Sequence, residues 1–213
     1  MSDNTFFIVE DHTTTNLGIR QLLQEKLGIT CAGFAYTTAE AEEKLAALAS
    51  AKADTAETAL PDLVILDLFL GKESGIDLLK TIRKNYPSVK VLVHSMYAKP
   101  GILSLALEEG ANGFVEKAAP EKVLLNAVRS ILTGENFIQQ NLVPSLFTYK
   151  TMYDGLTKQE QKIMKMLLGQ KTKEQISEEL NIVPHTVDNY LSRIFDKTAC
   201  HSISELLEKF AKG

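Results

Sequence analysis

Residues 63–75 read LVILDLFLGKESG: four apolar residues run into a carboxylate and then into a turn built from glycine, serine and charged groups. A short continuous apolar run bounded by turn residues is the signature of a strand buried on both faces. Phe6–Val9 and Val89–Val93 repeat it on either side, with stretches of helical length between. Reading outward predicts strands over 6–10, 30–35, 63–67, 89–94 and 112–115, and helices over 15–27, 38–50, 75–85, 100–109 and 120–132. Five βα repeats of this kind make an α/β, doubly wound, five-stranded parallel sheet with helices on both faces. The Ala/Thr-rich segment KADTAETAL, residues 52–60, either prolongs the second helix or forms a loop, because its small side chains bury little.

Beyond this unit, residues 134–155 lose the period yet carry Phe137, Ile138, Leu142, Val143, Leu146, Phe147, Tyr149 and Tyr153. So apolar a linker is expected to pack in part. Residues 156–213 show four helix starts: Thr157 with Glu160, Thr172 with Gln175, Pro184 at a first-turn position, and Ser202 with Glu205. The expected division is 1–133, a linker over 134–155, and an all-helical four-helix domain over 156–213.

Composition bounds the function. The chain has 213 residues, 45% hydrophobic and 23% charged, with net charge -4, so no field spread over the whole chain draws it to a polyanion. The charge is uneven: 14 basic and 19 acidic residues over 1–155, against 9 and 8 over 156–213. Two distant cysteines, Cys31 and Cys200, and a start MSDNTFFIVEDH without a basic leader point to a reducing cytoplasmic location. No apolar run approaches the roughly 20 residues that cross a bilayer, so no membrane contact is expected.

In an open parallel sheet, ligands bind where side chains converge at the carboxyl ends of the strands. Glu10 and Asp11 follow the first strand, Asp67 the third, Ser95 the fourth and Lys117 the fifth. Three neighbouring carboxylates stay ionised if a divalent cation with oxygen ligands sits among them. Mg2+ needs few protein ligands: Glu10, Asp11, Asp67 and one backbone carbonyl, that of Phe69, are the candidates. Asp67 is then the phosphoryl acceptor, Ser95 a hydroxyl donor and Lys117 the fixed positive charge for phosphoryl transfer. Each residue also has a plainer use. Asp11 and Asp67 could cap helices, Ser95 could end a strand, and Lys117 could pair with Glu116 or Glu121.

On these residues, positions 1–132 resemble the flavodoxin-like receiver domain of bacterial two-component response regulators. FFIVEDH is similar to that family's first strand and acidic pair, VILDLFLGKESG to its phosphorylation segment, and VHSM and GANGFVEK to its switch segments. The resemblance implies that Asp67 is phosphorylated with Mg2+ by a partner histidine kinase or a small phosphodonor. It makes Gly75 the glycine opening the next helix, and Ser95 and Phe114 the switch pair. Gly71 stands where the family usually has proline, and Met96 where a small residue is common.

Nearly all of residues 156–208 resemble the LuxR/NarL (FixJ-like) helix-turn-helix domain. Asn181-Ile182-Val183 forms the turn, and the reading helix runs from Pro184 to about Lys197. His185, Thr186, Asp188, Asn189, Ser192 and Arg193 are its candidate contacts to double-stranded DNA, with Lys171 and Lys173 as backbone clamps. Asp188, Tyr190 and Ser192 replace residues that are often basic or histidine in that family. Ile203, Leu206, Leu207 and Phe210 form a last apolar stripe, expected to be partly core and partly a homodimer surface.

The expected function is a phosphorylation-controlled transcription regulator that reads DNA as a dimer. The alternative keeps the phospho-switch but has the helical domain bind protein, or act independently of phosphorylation, with weak or no DNA binding. Enzymatic activity is expected at most as self-phosphorylation from a donor and autodephosphorylation. A phosphatase acting on small molecules would lack any additional nucleophile or general acid.

Overall fold

The computed structural model describes residues 4–50, 60–71 and 73–211; the expectation for the Ala/Thr-rich segment falls, apart from Leu60, outside the described residues. β1 (Thr5–Val9), α1 (Thr13–Leu27), β2 (Thr30–Ala35), α2 (Thr38–Ser50) and β3 (Leu63–Leu66) open the chain. A two-strand hairpin, β4 (Phe69–Leu70) and β5 (Glu73–Ser74), leads into α3 (Gly75–Asn85). β6 (Lys90–Ser95), α4 (Pro100–Glu108), β7 (Gly113–Glu116) and α5 (Glu121–Leu132) follow.

The strands lie in the order β2-β1-β3-β6-β7, extended by a short sixth strand, β8 (Phe137–Ile138), and all pair in parallel. The predicted five-stranded sheet is therefore present with one strand added at its edge. Because strand side chains alternate, Phe6, Ile8, Leu63, Ile65, Leu92 and Val115 line one face. They pack against Ile19 and Leu23 of α1 and Leu124, Val128 and Ile131 of α5. Phe7, Val9, Val64, Leu66, Val91, Val93 and Phe114 line the other face and are equally inaccessible.

The segment expected to be a linker forms β8, one 3-10 turn (Gln140–Leu142) and α6 (Val143–Asp154). Gln139 ends β8 with a clamp on β7. The Glu116 amide donates to Gln139 Oε1 (2.9 Å), and Gln139 Nε2 donates to Glu116 Oε2 (2.8 Å). By contacts the chain forms two units, Met1–Met96 with Ala106–Gln139 and Tyr97–Leu105 with Gln140–Gly213.

The four helices of the C-terminal part are α7 (Lys158–Leu168), α8 (Lys173–Leu180), α9 (Pro184–Thr198) and α10 (Ile203–Phe210). Thr157 with Glu160 and Thr172 with Gln175 close complete capping boxes. At α10 the box is one-sided: Ser202 accepts from the Glu205 amide, while Glu205 reaches His201 N instead (2.7 Å). Ile163, Met166, Leu167, Ile176, Val187, Leu191 and Ile194 form the core. Asn181 takes a left-handed conformation (φ 51°) in the predicted turn between α8 and α9. Asparagine tolerates that region better than most residues. Leu206 and Phe210 are core residues rather than surface ones: Leu206 is fully buried, and Phe210 packs 5.4 Å from Tyr149 of α6. Ile203 and Leu207 keep a half-exposed edge.

Candidate functional site

The sheet order sets β1, β3, β6 and β7 side by side, so the residues following them gather at one edge. Backbone bonds hold them just past the strand ends: Glu10 N to Ala35 O, Asp67 N to Val9 O and Lys117 N to Ser95 O, each between 2.9 and 3.0 Å. Ser95 is itself the last residue of its strand. The hairpin β4–β5 folds the chain after Asp67 back onto α3, and Gly75 N bonds Leu68 O (3.0 Å).

Asp67 is almost completely buried, at 3% exposure. Its Oδ1 accepts from Ser95 Oγ (3.0 Å) and from the Phe69 amide (3.2 Å), and its Oδ2 lies 2.6 Å from Lys117 Nζ. Lys117 also reaches Glu10 Oε2 at 2.6 Å. Burial disfavours its charge, but Asp67 and then Glu10 accept its hydrogen bonds and attract it, so its pKa is raised above the usual lysine value. The ammonium thus stays charged between two buried carboxylates. Of the residues named from sequence, the structure brings Glu10, Asp67, Ser95 and Lys117 together, with Phe69 joined through its amide. Phe114 lies fully buried in β7.

Glu10, Asp11 and His12 each offer a ligand atom within 4.8 Å of one another. Glu10 Oε1 is 3.1 Å and Asp11 Oδ1 2.8 Å from His12 Nδ1. That contact is outside hydrogen-bonding geometry at Asp11 Oδ1, which is sequestered from solvent with no bonded partner among the described residues. A carboxylate oxygen with unused lone pairs beside a second carboxylate is a donor set that fits a hard divalent cation. His12 was not singled out from sequence, although its place directly after the acidic pair was a signal available to find it. Gln139 gave no such signal, since its partner Glu116 is remote in sequence.

His94 precedes Ser95 on β6 and points to the opposite face. It is 7% exposed and its Nδ1 has no partner among the described residues. Burial and then the Lys117 charge lower its pKa from 6.5 to about 4. A histidine with a depressed folded pKa contributes stability above the unfolded value and loses it as pH falls through the folded one. Urea titrations are expected to show His94→Leu less acid-sensitive than wild type by about 2–3 kcal/mol between pH 7.5 and 4.5. Equal losses in both proteins would contradict this.

In the helical part, His185, Asp188, Asn189, Ser192 and Arg193 are exposed on α9 and Thr186 is half-exposed. Arg193 sits over the Tyr190 ring at 5.8 Å. The two expected clamps are already occupied: Lys171 pairs with Glu179, and Lys173 lies 2.8 Å from Asp188.

The response regulator receiver domain matches residues 6–129, and the luxR family of bacterial regulatory proteins matches residues 154–210. The chain is 32% identical to the transcriptional activator protein ExaE of Pseudomonas putida over 94% of its own length and 92% of the relative's. It is 28% identical to the response regulator UvrY of Escherichia coli K12, covering 93% and 89%. Among solved structures, RcsB of Salmonella enterica serovar Typhimurium, bound to promoter rprA with a phosphomimetic, superposes with TM-score 0.71 over 98% of both chains at 21% identity, a likeness of fold. The chain belongs to the two-component response regulators, with a receiver domain followed by a luxR-family helical domain. No helix among the described residues is long and apolar enough to cross a membrane.

Proposed function

We propose that this protein is a phosphorylation-controlled transcription regulator that accepts a phosphoryl group on Asp67 and reads double-stranded DNA through α9. The carrying observation is the environment of Asp67, a buried carboxylate held by Ser95 Oγ at 3.0 Å and Lys117 Nζ at 2.6 Å. Those two donors are what the three oxygens of a transferred phosphoryl group require. An Asp67 oxygen attacks the phosphorus of a donor, the phosphohistidine of a partner kinase or a small acyl phosphate. The O–P bond forms as the donor's bond to phosphorus breaks, and the donor leaves with the electron pair. Lys117 and Ser95 then hold phosphoryl oxygens in place of the carboxylate. Glu10 and Asp11, with Asp67 and the Phe69 carbonyl, are the residues that would hold Mg2+, which when bound supplies charge neutralisation for the transfer.

Moving Ser95 toward the phosphoryl group opens space toward β7, where Phe114 is the aromatic that can repack. A homodimer using Ile203 and Leu207 would set two reading helices on a two-fold DNA site. ExaE is named a transcriptional activator, and RcsB was solved on promoter DNA; both support this reading, as they support a cytoplasmic protein. Asp188 and the near-neutral charge balance of residues 156–213 favour the second reading, a helical output that contacts protein.

Incubation with a small phosphodonor and Mg2+, followed by intact mass measurement, tests the chemistry. Wild type is expected to gain one phosphoryl group and Asp67→Asn none. Equal gain in both proteins would exclude Asp67 as acceptor, and no gain in wild type would exclude phosphorylation from a small donor.

A further inference from the structure

Among the described residues of the helical unit, Lys197, Lys171 and Lys173 are each held by an acid of the same unit, and the pairs differ in kind. Lys197 lies 2.6 Å from Glu160, which is 1% exposed and belongs to the α7 capping box, so this pair joins α7 to α9 structurally. Lys171 and Glu179 link the turn before α8 to α8 itself. Lys173 and Asp188 instead reach from the first residue of α8 to the outer face of α9, with side chains 42% and 51% exposed. Water screens such a pair, so each partner can be exchanged for another at little cost.

Asp188 is neighbour to His185 and Ser192, at helical spacings of three and four residues, and Asn189 adjoins them. All four are exposed, while Val187, Leu191 and Ile194 of the same helix are buried. A carboxylate there is repelled by phosphates whatever the base sequence. It has no donor for N7 or O6 acceptors in the major groove, and the group it matches is the N4 amine of cytosine.

Granted that α9 reads duplex DNA as proposed above, we infer that Asp188 is its specificity-determining residue. In the free protein the carboxylate holds Lys173; on DNA it exchanges Lys173 for the N4 amine of a cytosine, while Lys173 turns to a neighbouring phosphate. Where a guanine or thymine edge stands at that position, no donor replaces the ammonium, and the N6 amine of adenine lies beside the N7 acceptor, which repels a carboxylate. Either Lys173 stays and a phosphate contact is lost, or a bare carboxylate faces the groove. Both outcomes penalise the wrong sequence, a form of rejection that ordinary basic residues at these positions would not give.

The test uses the full chain, treated with phosphodonor and Mg2+, and its Asp188→Ala, Asp188→Asn and Lys173→Gln variants. Each is taken through selection from a duplex library with a random core. Affinity for a mixed-sequence duplex is then measured against salt. Wild type is expected to select cytosine at one fixed position of each half-site. Asp188→Ala loses that preference and binds the mixed duplex about tenfold more tightly, because Lys173 is released and a repelling charge is gone. Asp188→Asn moves the preference toward adenine, whose N6 and N7 an amide bonds together, a change that damage to the fold would not produce. Lys173→Gln flattens the slope of log affinity against log salt on the selected site by about one. An unchanged base preference in both Asp188 variants overturns the inference and leaves DNA binding standing. Absence of binding to any duplex by wild type at low salt overturns the DNA reading and this inference with it.

Discussion

Lys117→Met is expected to lower the unfolding free energy by about 3–5 kcal/mol at neutral pH, the usual cost of removing one partner from a buried ion pair. The side chains of Glu10 and Asp67 are 2% and 4% exposed, and Lys117 is the cation within 2.6 Å of both. Without it, two carboxylates face each other out of water with no cation between them. Acid removes that repulsion by neutralising a carboxylate, so the deficit of the variant shrinks as pH falls. Wild type behaves oppositely at the alkaline end. The raised pKa of Lys117 contributes stability in full below the unfolded lysine value of about 10.4, and loses it as pH rises through the folded value. Chemical denaturation at several pH values checks both limbs. A deficit that does not change with pH would show that Lys117 acts by packing and not by charge.

Gly75→Ala is expected to destabilise by about 3 kcal/mol, at the upper end for overpacking, and to slow phosphoryl uptake on Asp67. A Cβ at Gly75 would lie 2.4 Å from the Asp67 carbonyl oxygen and 2.6 Å from Leu68 Cα. Both are backbone atoms next to the proposed acceptor, so relief requires the loop that positions Asp67 to move. Gly18→Ala, on α1, is the control: its Cβ would meet nothing within 4 Å. Removing a glycine from a helix interior should stabilise by about 0.5–1 kcal/mol. Thermal unfolding of both variants, beside the mass assay on each, separates the two effects. A Gly75→Ala protein as stable and as readily phosphorylated as wild type would contradict the close approach.

The residues proposed to carry the chemistry were legible because the sheet is built from short apolar runs whose ends can be counted. Once LVIL ends at Leu66, Asp67 can only stand at the carboxyl edge, and the same holds for Glu10 after Val9 and Lys117 after Glu116. The helix starts at Thr157 and Thr172 were equally plain, since a capping box is a contact among four consecutive residues. Where contact partners lie far apart, the pattern said less. The apolar stripe of α10 could not show that Leu206 and Phe210 turn inward, because Phe210 meets Tyr149 of a different helix.

The amino-acid order alone determined the alternation of strands and helices, the acidic edge with Asp67, Ser95 and Lys117, and the turn between α8 and α9. Each depends on periodicity or on neighbours a few residues apart, and such signals survive without a partner. Only the tertiary structure decided that β8 exists, that Gln139 grips Glu116, that His12 joins the carboxylates and that Lys173 is held by Asp188. A two-residue strand has too little intrinsic preference to form alone and is stabilised by hydrogen bonds to β7. An ion pair spanning 15 residues likewise exists only once two helices have been set side by side.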